Sequence, residues 1–154
     1  MITHLIRAFL ISLTLAAIAV AADTPEPSWG PGDPDLTAAR ARIAAKDWPG
    51  AADVLQKAIT RDPRNADYHN LFAYAVRKGP NPDMDLVFKH YQEALRLDPK
   101  HRGAHEYIGE AYLMVGNLGK AKEHLAALNR LCFFGCEEYR DLKKAIETYE
   151  AKKR

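Results

Sequence analysis

The chain has 154 residues, of which 22 are Lys or Arg and 20 are Asp or Glu, so its formal net charge at pH 7 is +2. A balance this close to neutral argues against a dedicated nucleic-acid binder, which would carry a large excess of positive charge. The length is sufficient for one compact domain.

Residues 1–22 have the layout of an export signal. Arg7 supplies a short basic start, and the uncharged run of Leu, Ile and Ala that follows ends on the small residues of Ala19-Val20-Ala21. We expect a peptidase to cleave after Ala21 or Ala22. The apolar run is shorter than the roughly 20 residues that span a bilayer, which argues against an uncleaved anchor. The sequence therefore predicts a bacterial protein exported to the periplasm, with no stable membrane insertion after cleavage.

Residues 23–35 follow as a leader segment that is rich in turn formers. The segment contains four of the nine prolines of the chain and two of its glycines. Because this composition resists both helix and strand, we expect a flexible or extended leader. Trp29 within it either docks on the domain or stays loose, and the sequence does not choose between the two.

The remainder of the chain carries a helical repeat. From Leu36 onward, apolar residues recur at helical spacing without an alternating strand pattern, which predicts an all-α structure. Two helical runs end in the same dipeptide, Asp62-Pro63 and Asp98-Pro99, where proline prevents continuation of the helix. The second run repeats the first 99 − 63 = 36 positions later. The matching positions are Ala51, Leu55, Ala58 and Pro63 against Val87, Tyr91, Ala94 and Pro99, with Ala121, Leu125 and Leu128 in a third copy.

The repeated pattern resembles the tetratricopeptide repeat, a helix-turn-helix unit of about 34 residues. The third copy matches best through its run HEYIGEAYLMVGNLGKAKEHLAAL, in which His105 takes the usual tryptophan position and Gly109 the small-residue position. Ala39 and Ala73 occupy that small-residue position in the other copies. A small side chain there lets the paired helix approach closely.

This resemblance implies an all-α, right-handed α-solenoid of three units, closed by a C-terminal capping helix. The predicted bounds are about 36–65, 66–101 and 102–135 for the units and 136–154 for the cap. The cap is amphipathic, with Tyr139, Leu142, Ile146 and Tyr149 on one face, and a polar end helix is what a repeat array needs to cover its apolar end. In the inner turn of the second unit, Asp83 is expected to cap the next helix.

Cys132 and Cys136, the two cysteines of the chain, flank the joint between the third unit and the cap. Gly135 permits a left-handed turn at this joint. Two cysteines in an oxidising compartment predict one disulfide, which over so small a loop stabilises by about 2 kcal/mol. We expect Phe133 and Phe134 to fill the seam between the helices in place of the missing turn proline.

Two other uses of the cysteine pair stay open. Cys-x3-Cys is similar to the thiolate motif of periplasmic copper-delivery proteins, and soft thiolates favour Cu(I). Those proteins have a thioredoxin-like fold, however, and His124 is poorly placed as a third ligand. Dithiol exchange is the other use, since Cys136 at a helix start can be an acidified thiol.

Other candidate chemistry in the chain is thin. His101 and His105 are four positions apart, but the repeat places them in a turn and on a helix, which argues against a shared metal. The scattered acidic residues and the lack of a serine-based arrangement indicate no active site. We therefore predict a non-enzymatic protein without a cofactor or metal.

The resemblance also implies a binding surface, because in this family the first helix of each unit lines the concave side of the stack. The residues expected in this groove are Asn70, Tyr74, Arg77, Glu106, Glu110 and Leu113, with Leu36, Arg40 and Ile43 in the first unit. The sequence thus predicts a scaffold that binds a protein or peptide in a groove of mixed charge with one aromatic anchor. End-to-end self-association of the array is the alternative.

Overall fold

The computed structural model describes residues 32–153, and within them the regular secondary structure is α-helical. The helices are α1 (Pro34–Ala44), α2 (Trp48–Arg61), α3 (Ala66–Lys78), α4 (Met84–Leu97), α5 (Arg102–Met114), α6 (Leu118–Leu131) and α7 (Glu137–Ala151). The predicted export signal, Trp29 and most of the leader lie outside the described residues. Among the described helices, none combines the length and the apolar character that crossing a membrane requires.

Asp and Asn side chains cap the starts of most helices. Asp33 accepts a hydrogen bond from the backbone N–H of Leu36 at 3.1 Å, and Pro34 occupies the first helical position, where it needs no N–H partner. As a result α1 begins two residues before the predicted start of the first unit. Asp83 caps α4 by accepting from the backbone N–H of Leu86 at 3.0 Å, as the sequence predicts.

Successive helices pack as the pairs α1/α2, α3/α4 and α5/α6, and α7 packs on both helices of the last pair. The first helices of the three pairs also contact one another in the order α1, α3, α5, and α7 continues this row beside α5. We call these four the inner helices, and α2, α4 and α6 the outer helices. The two layers form the predicted all-α solenoid of three helix-turn-helix units with a capping helix.

The small-residue positions lie where the helices approach most closely. Ala39 and Ala73 are fully buried. A methyl group added at Gly109 would lie 2.6 Å from Cδ2 of Leu142, which is far inside van der Waals contact. The helix that requires the glycine is therefore the cap α7, and not the paired helix α6 that the sequence suggested.

At the joint between α6 and α7, Cys132 is the C-terminal cap of α6 and Cys136 the N-terminal cap of α7. Gly135 adopts the left-handed conformation expected of it, with φ of 78°. The two Sγ atoms lie 2.05 Å apart, which is bonding distance, and the two Cα atoms 5.5 Å apart.

The prediction that Phe133 and Phe134 fill the seam at this joint is wrong, because their side chains are 92% and 97% exposed. The seam is already closed by a cluster that includes Leu128 of α6 and Leu142 and Ile146 of α7. The short turn between the helices leaves its two aromatic side chains on the outside.

Candidate functional site

The face shared by the inner helices carries two adjoining cavities. One, of about 340 Å³, lies between the first halves of α3, α5 and α7, with an edge on α1. The other, of about 560 Å³, lies between the later parts of the same helices. We call them the acidic cavity and the apolar cavity after their linings. Because Asp141 lines both, they form one groove along the inner helices.

The apolar cavity is lined by carbon-rich side chains with basic groups at its rim. Leu113, Met114, Ala145 and Tyr149 supply much of the apolar surface. Its charged residues are Arg77, Glu110, Asp141, Lys144 and Lys152. Such a mixture of apolar wall and a few polar groups is typical of sites that take an organic side chain.

Arg77 is a buried residue of the apolar cavity that links α3 to α4 and α5 by hydrogen bonds. Its Nη2 donates to Oε2 of Glu110 at 2.7 Å, and its Nε donates to Oη of Tyr91 at 3.2 Å. Burial disfavours the charge of this guanidinium, but Tyr91 and Glu110 outweigh burial and raise the pKa of Arg77. Although the sequence places Arg77 in the groove, its donors are engaged within the protein.

An aromatic cluster lies beside the groove and reaches the acidic cavity through Tyr107. The ring centroids of Tyr74 and Tyr107 lie 4.7 Å apart, and Trp48 meets Tyr74 edge-on at 6.1 Å. The guanidinium of Arg77 lies 5.5 and 5.8 Å from the centroids of the two tyrosine rings. Sequence reasoning found Tyr74 alone. Tyr107 follows Glu106 directly and so lies at the edge of the same helix face. Whether a residue at that edge reaches the groove depends on how the neighbouring helix packs, which the sequence does not show.

The acidic cavity combines several carboxylates with a buried amide. Its acidic residues are Asp67, Glu106, Glu137, Glu138 and Asp141, and its single cation is Arg40. Glu106 is only 8% exposed, and within the described part of the chain its carboxyl group makes neither a hydrogen bond nor an ion pair. Burial, reinforced by Glu110, Asp141 and Glu138, raises the pKa of Glu106 to about 8.

Asn70 lies on the wall of the same cavity and is 4% exposed. Among residues 32–153, its Oδ1 is a buried polar atom without a hydrogen-bond partner. Such an atom is costly to leave unpaired, so it marks a place where a donor is missing.

Five of the six residues predicted for the groove line its two cavities, with different exposure, whereas Tyr74 lines neither cavity and lies behind Tyr107. Tyr74, Glu110 and Leu113 are half-buried, whereas Asn70, Arg77 and Glu106 are buried. In the first unit, Arg40 lines the acidic cavity, and Ile43 lines neither cavity. Leu36, which was expected in the groove, belongs instead to the core cluster with Leu55 and Phe72, because α1 turns this side chain towards α2 and α3.

Two pairs of histidines, which sequence reasoning missed, join an inner helix to an outer helix. His69 and His90 face each other with their Nδ1 atoms 2.9 Å apart, and Nε2 of His69 lies 3.0 Å from the carbonyl oxygen of Pro63. Because a carbonyl only accepts, Nε2 of His69 carries the proton, its Nδ1 accepts, and Nδ1 of His90 donates. Burial and His69 lower the pKa of His90 to about 4, and the neutral pair has this one pattern of tautomers.

The third unit repeats this arrangement with His105 and His124, whose Nδ1 atoms are also 2.9 Å apart, and the carbonyl oxygen of Pro99 lies 3.1 Å from Nε2 of His105. His101 instead directs Nε2 to Asp67 at 3.2 Å. His101 and His105 thus have separate partners. The equivalent histidines are 36 and 34 positions apart (105 − 69 and 124 − 90), so the repeat spacing was the signal for these pairs.

The cysteine pair is the remaining site considered from the sequence. Both Sγ atoms and a carboxylate oxygen of Glu138 lie within 4.8 Å of one another, which is compatible with ligands of one ion. Sulfurs bonded to each other offer no thiolate, however, so this set could hold a metal only after reduction. Glu138 also lies 3.5 Å from Nε of Arg102.

In sequence, no protein-family model matches the chain, and no curated protein matches it. Solved structures match its fold. The TPR2B domain of yeast Sti1, solved as a complex with pHsp70, is 19% identical over 77% of this chain and 94% of that one, with a TM-score of 0.68.

Two further structures agree with this result. The type III secretion chaperone SycD of Yersinia enterocolitica, solved with a peptide of the translocator YopD, is 17% identical over 78% of this chain and 92% of that one, with a TM-score of 0.64. The Sgt2 TPR domain of Aspergillus fumigatus is 22% identical over 77% and 76%, with a TM-score of 0.66. At these identities the likeness establishes the fold, which is that of the tetratricopeptide repeat.

Proposed function

We propose that this protein is a non-enzymatic periplasmic scaffold that binds a peptide segment of a partner protein along its inner helices. The observation that carries the proposal is the continuous groove formed by two adjoining cavities of about 340 and 560 Å³. Structures of similar fold were solved with partners bound, namely yeast Sti1 with pHsp70 and SycD with a YopD peptide. A peptide bound across both cavities here would meet first acidic and then apolar surface.

The groups in the groove suit recognition better than catalysis. Arg77 and Glu110 are bonded to each other, and the one acid with a strongly raised pKa, Glu106, has carboxylates, an amide and a tyrosine ring around it. A reaction that passes through a covalent intermediate would need a side-chain nucleophile with a base in hydrogen-bond reach. The groove residues supply no such pair within the described part of the chain.

The periplasmic location is supported by the export-signal layout of residues 1–22 and by the paired cysteines. Cell fractionation and N-terminal sequencing of the purified protein test it. We expect the protein in the periplasmic fraction, starting at Ala22 or Asp23. A cytoplasmic protein that retains Met1 or Ile2 would refute the export proposal while leaving the groove untouched.

The binding proposal is tested by selecting peptides from a random library displayed on phage. Ala145→Phe places a ring into the apolar cavity from a half-buried position on α7 and removes no buried contact. Ala126→Phe makes the same change at an exposed position on outer helix α6 and is the matched control. We expect selected peptides to bind the control like the original protein and to bind Ala145→Phe at least about tenfold more weakly, since a blocked cavity loses its contacts. Peptides that bind both variants equally would refute binding in the groove.

A second candidate function is Cu(I) binding by the reduced cysteine pair. The observation in its favour is that the two sulfurs lie close enough to bind one ion, since thiolates are the ligands that Cu(I) prefers. Intact mass and thiol counting on protein from the periplasm separate the two readings. Two free thiols that take up one copper would support the metal site, whereas a mass lower by two hydrogens without copper uptake would support the disulfide.

A further inference from the structure

Five polar or charged residues are buried among the described residues, and they divide into two groups. His69, His90 and Arg77 are each held by hydrogen bonds inside the protein. Asn70 and Glu106 are not: Oδ1 of Asn70 has no partner, and the Glu106 carboxyl group has neither a hydrogen bond nor an ion pair within residues 32–153. Both unpartnered residues lie on the wall of the acidic cavity.

Helix N-termini stabilise only some of the carboxylates in this cavity. Asp67 and Glu137 lie in the first turns of α3 and α7, where the positive end of a helix stabilises carboxylates. Glu106 and Asp141 are the fifth residues of their helices, beyond that influence. A buried acid that faces Glu110, Asp141 and Glu138 is an unfavourable arrangement for the protein alone. A bound cation would relieve it.

The cations of the chain that lie nearby do not fill this role. Arg77 is engaged by Glu110 and Tyr91, and Arg102 lies beside Glu138 at 3.5 Å. Arg40 lines the cavity from the exposed surface of α1 and forms no ion pair with Glu106 or Asp141 within the described residues. No cation of the described residues is thus paired with Glu106, and a cation from another molecule would fit beside it.

We propose that the acidic cavity binds a basic side chain of the partner peptide, with arginine preferred over lysine, its cation held by Glu106 and Asp141 beside the buried amide of Asn70. This inference rests on the proposed peptide-binding function and names the chemistry that the groove recognises. A guanidinium group carries five N–H donors in a plane and so can reach two carboxylates together, whereas an ammonium is a point charge. The adjoining apolar cavity then receives a neighbouring apolar side chain of the same peptide.

The test uses small probes that contain only the recognised group. The ¹⁵N-labelled protein is titrated, at constant ionic strength, with N-acetyl-arginine methylamide, its lysine equivalent, and the citrulline equivalent, which has the shape of arginine without its charge. We expect a saturable shift of the Asn70 side-chain amide signals with arginine, weaker binding of lysine, and at least about tenfold weaker binding of citrulline, because the charge supplies most of the interaction.

Variants assign the site. At pH 8.5, where the Glu106 carboxyl group is ionised, Glu106→Gln keeps the shape of the side chain and should weaken arginine binding about tenfold. Asp141→Asn, at an exposed position that the fold does not need, should weaken it severalfold. Glu123→Gln removes the same charge from outer helix α6, where the side chain is 63% exposed, and should leave the affinity unchanged. Circular dichroism confirms that each variant is folded.

Several outcomes would overturn the inference: no saturable shift, equal affinity for arginine and citrulline, or undiminished arginine binding by both Glu106→Gln and Asp141→Asn. The phage selection separates this failure from that of the proposed function. Groove-dependent peptides without basic residues would overturn the inference and leave peptide binding standing. Charge-dependent binding of the arginine probe without any groove-dependent peptide would leave the cation site standing and remove the peptide-binding function.

Discussion

The unpaired acid in the groove should make this protein less stable as the pH rises. The carboxyl group of Glu106 has its pKa raised from 4.5 to about 8, so the folded protein holds a proton that the unfolded chain has released between these values. Where the folded state binds more protons, stability falls with increasing pH. Glu106→Gln, which is neutral at every pH, should escape this loss.

The size of the effect follows from the pKa difference. Each pH unit between the two pKa values corresponds to about 1.4 kcal/mol, which gives an upper limit of about 5 kcal/mol. Because the cavity opens to solvent, water screens part of this energy, and we expect about 2 kcal/mol. Below pH 4.5 the carboxyl group is neutral in both states, and the original protein and the variant should have nearly equal stability.

Urea unfolding followed by circular dichroism at pH 5, 7 and 8.5 measures this difference. We expect Glu106→Gln to gain about 2 kcal/mol over the original protein at pH 8.5 and little at pH 5, while Glu123→Gln gains nothing at either pH. A ¹³C titration of the Glu106 carboxyl group gives its pKa directly. An advantage of Glu106→Gln that is the same at pH 5 and pH 8.5, or a pKa near 4.5, would refute the reasoning.

Three further predictions concern the fold. Burial and the neighbouring histidine lower the pKa of His90 to about 4. The neutral ring therefore stabilises the protein fully above pH 6.5, and this stability, about 1–2 kcal/mol, is lost as the pH falls towards 4. His90→Asn should flatten the profile of unfolding free energy against pH in this range, and an unchanged slope would contradict the prediction. Reducing the pair Cys132 and Cys136 should lower the free energy of unfolding by about 2 kcal/mol without changing helicity, measured by urea unfolding with and without reductant. Gly109→Ala should cost about 1–3 kcal/mol, because the new methyl group would lie 2.6 Å from Leu142, and a double-mutant cycle with Leu142→Ala should be strongly non-additive.

The helix pairs could be predicted from the sequence because their signals are local. Asp62-Pro63 and Asp98-Pro99 stop two helices at equivalent places, and Asp83 marks the start of a third. The resemblance to the tetratricopeptide repeat implied that the first helix of each unit lines the groove, and Glu106 and Glu110 were expected there on that ground. Their exposure could not be predicted, because it depends on the angle at which α7 packs on α5.

The histidine pairs and the exposed phenylalanines show the same limit at two other places. His69 and His105 recur at the repeat spacing, but their partners lie on outer helices, and only the rotation of one helix against the other brings the Nδ1 atoms to 2.9 Å. Phe133 and Phe134 were placed inside by their apolar character alone. Whether a turn residue is buried depends on whether space remains beneath it, and the helices around that turn leave none.

The capping helix joins stability to recognition in this protein. Leu142 and Ile146 on one side of α7 close the core, while Asp141 on the adjacent side lines both cavities of the groove. The helix begins directly after Cys136, whose link to Cys132 ties its first turn to the end of α6. A change in the angle of α7 would therefore move Asp141 relative to Glu106, so reduction of the cysteine pair should weaken arginine binding in the same samples in which it lowers stability. If arginine binding is equal in the oxidised and reduced protein, the position of α7 is set by the packing of Leu142 against Gly109, and the covalent link contributes to stability alone.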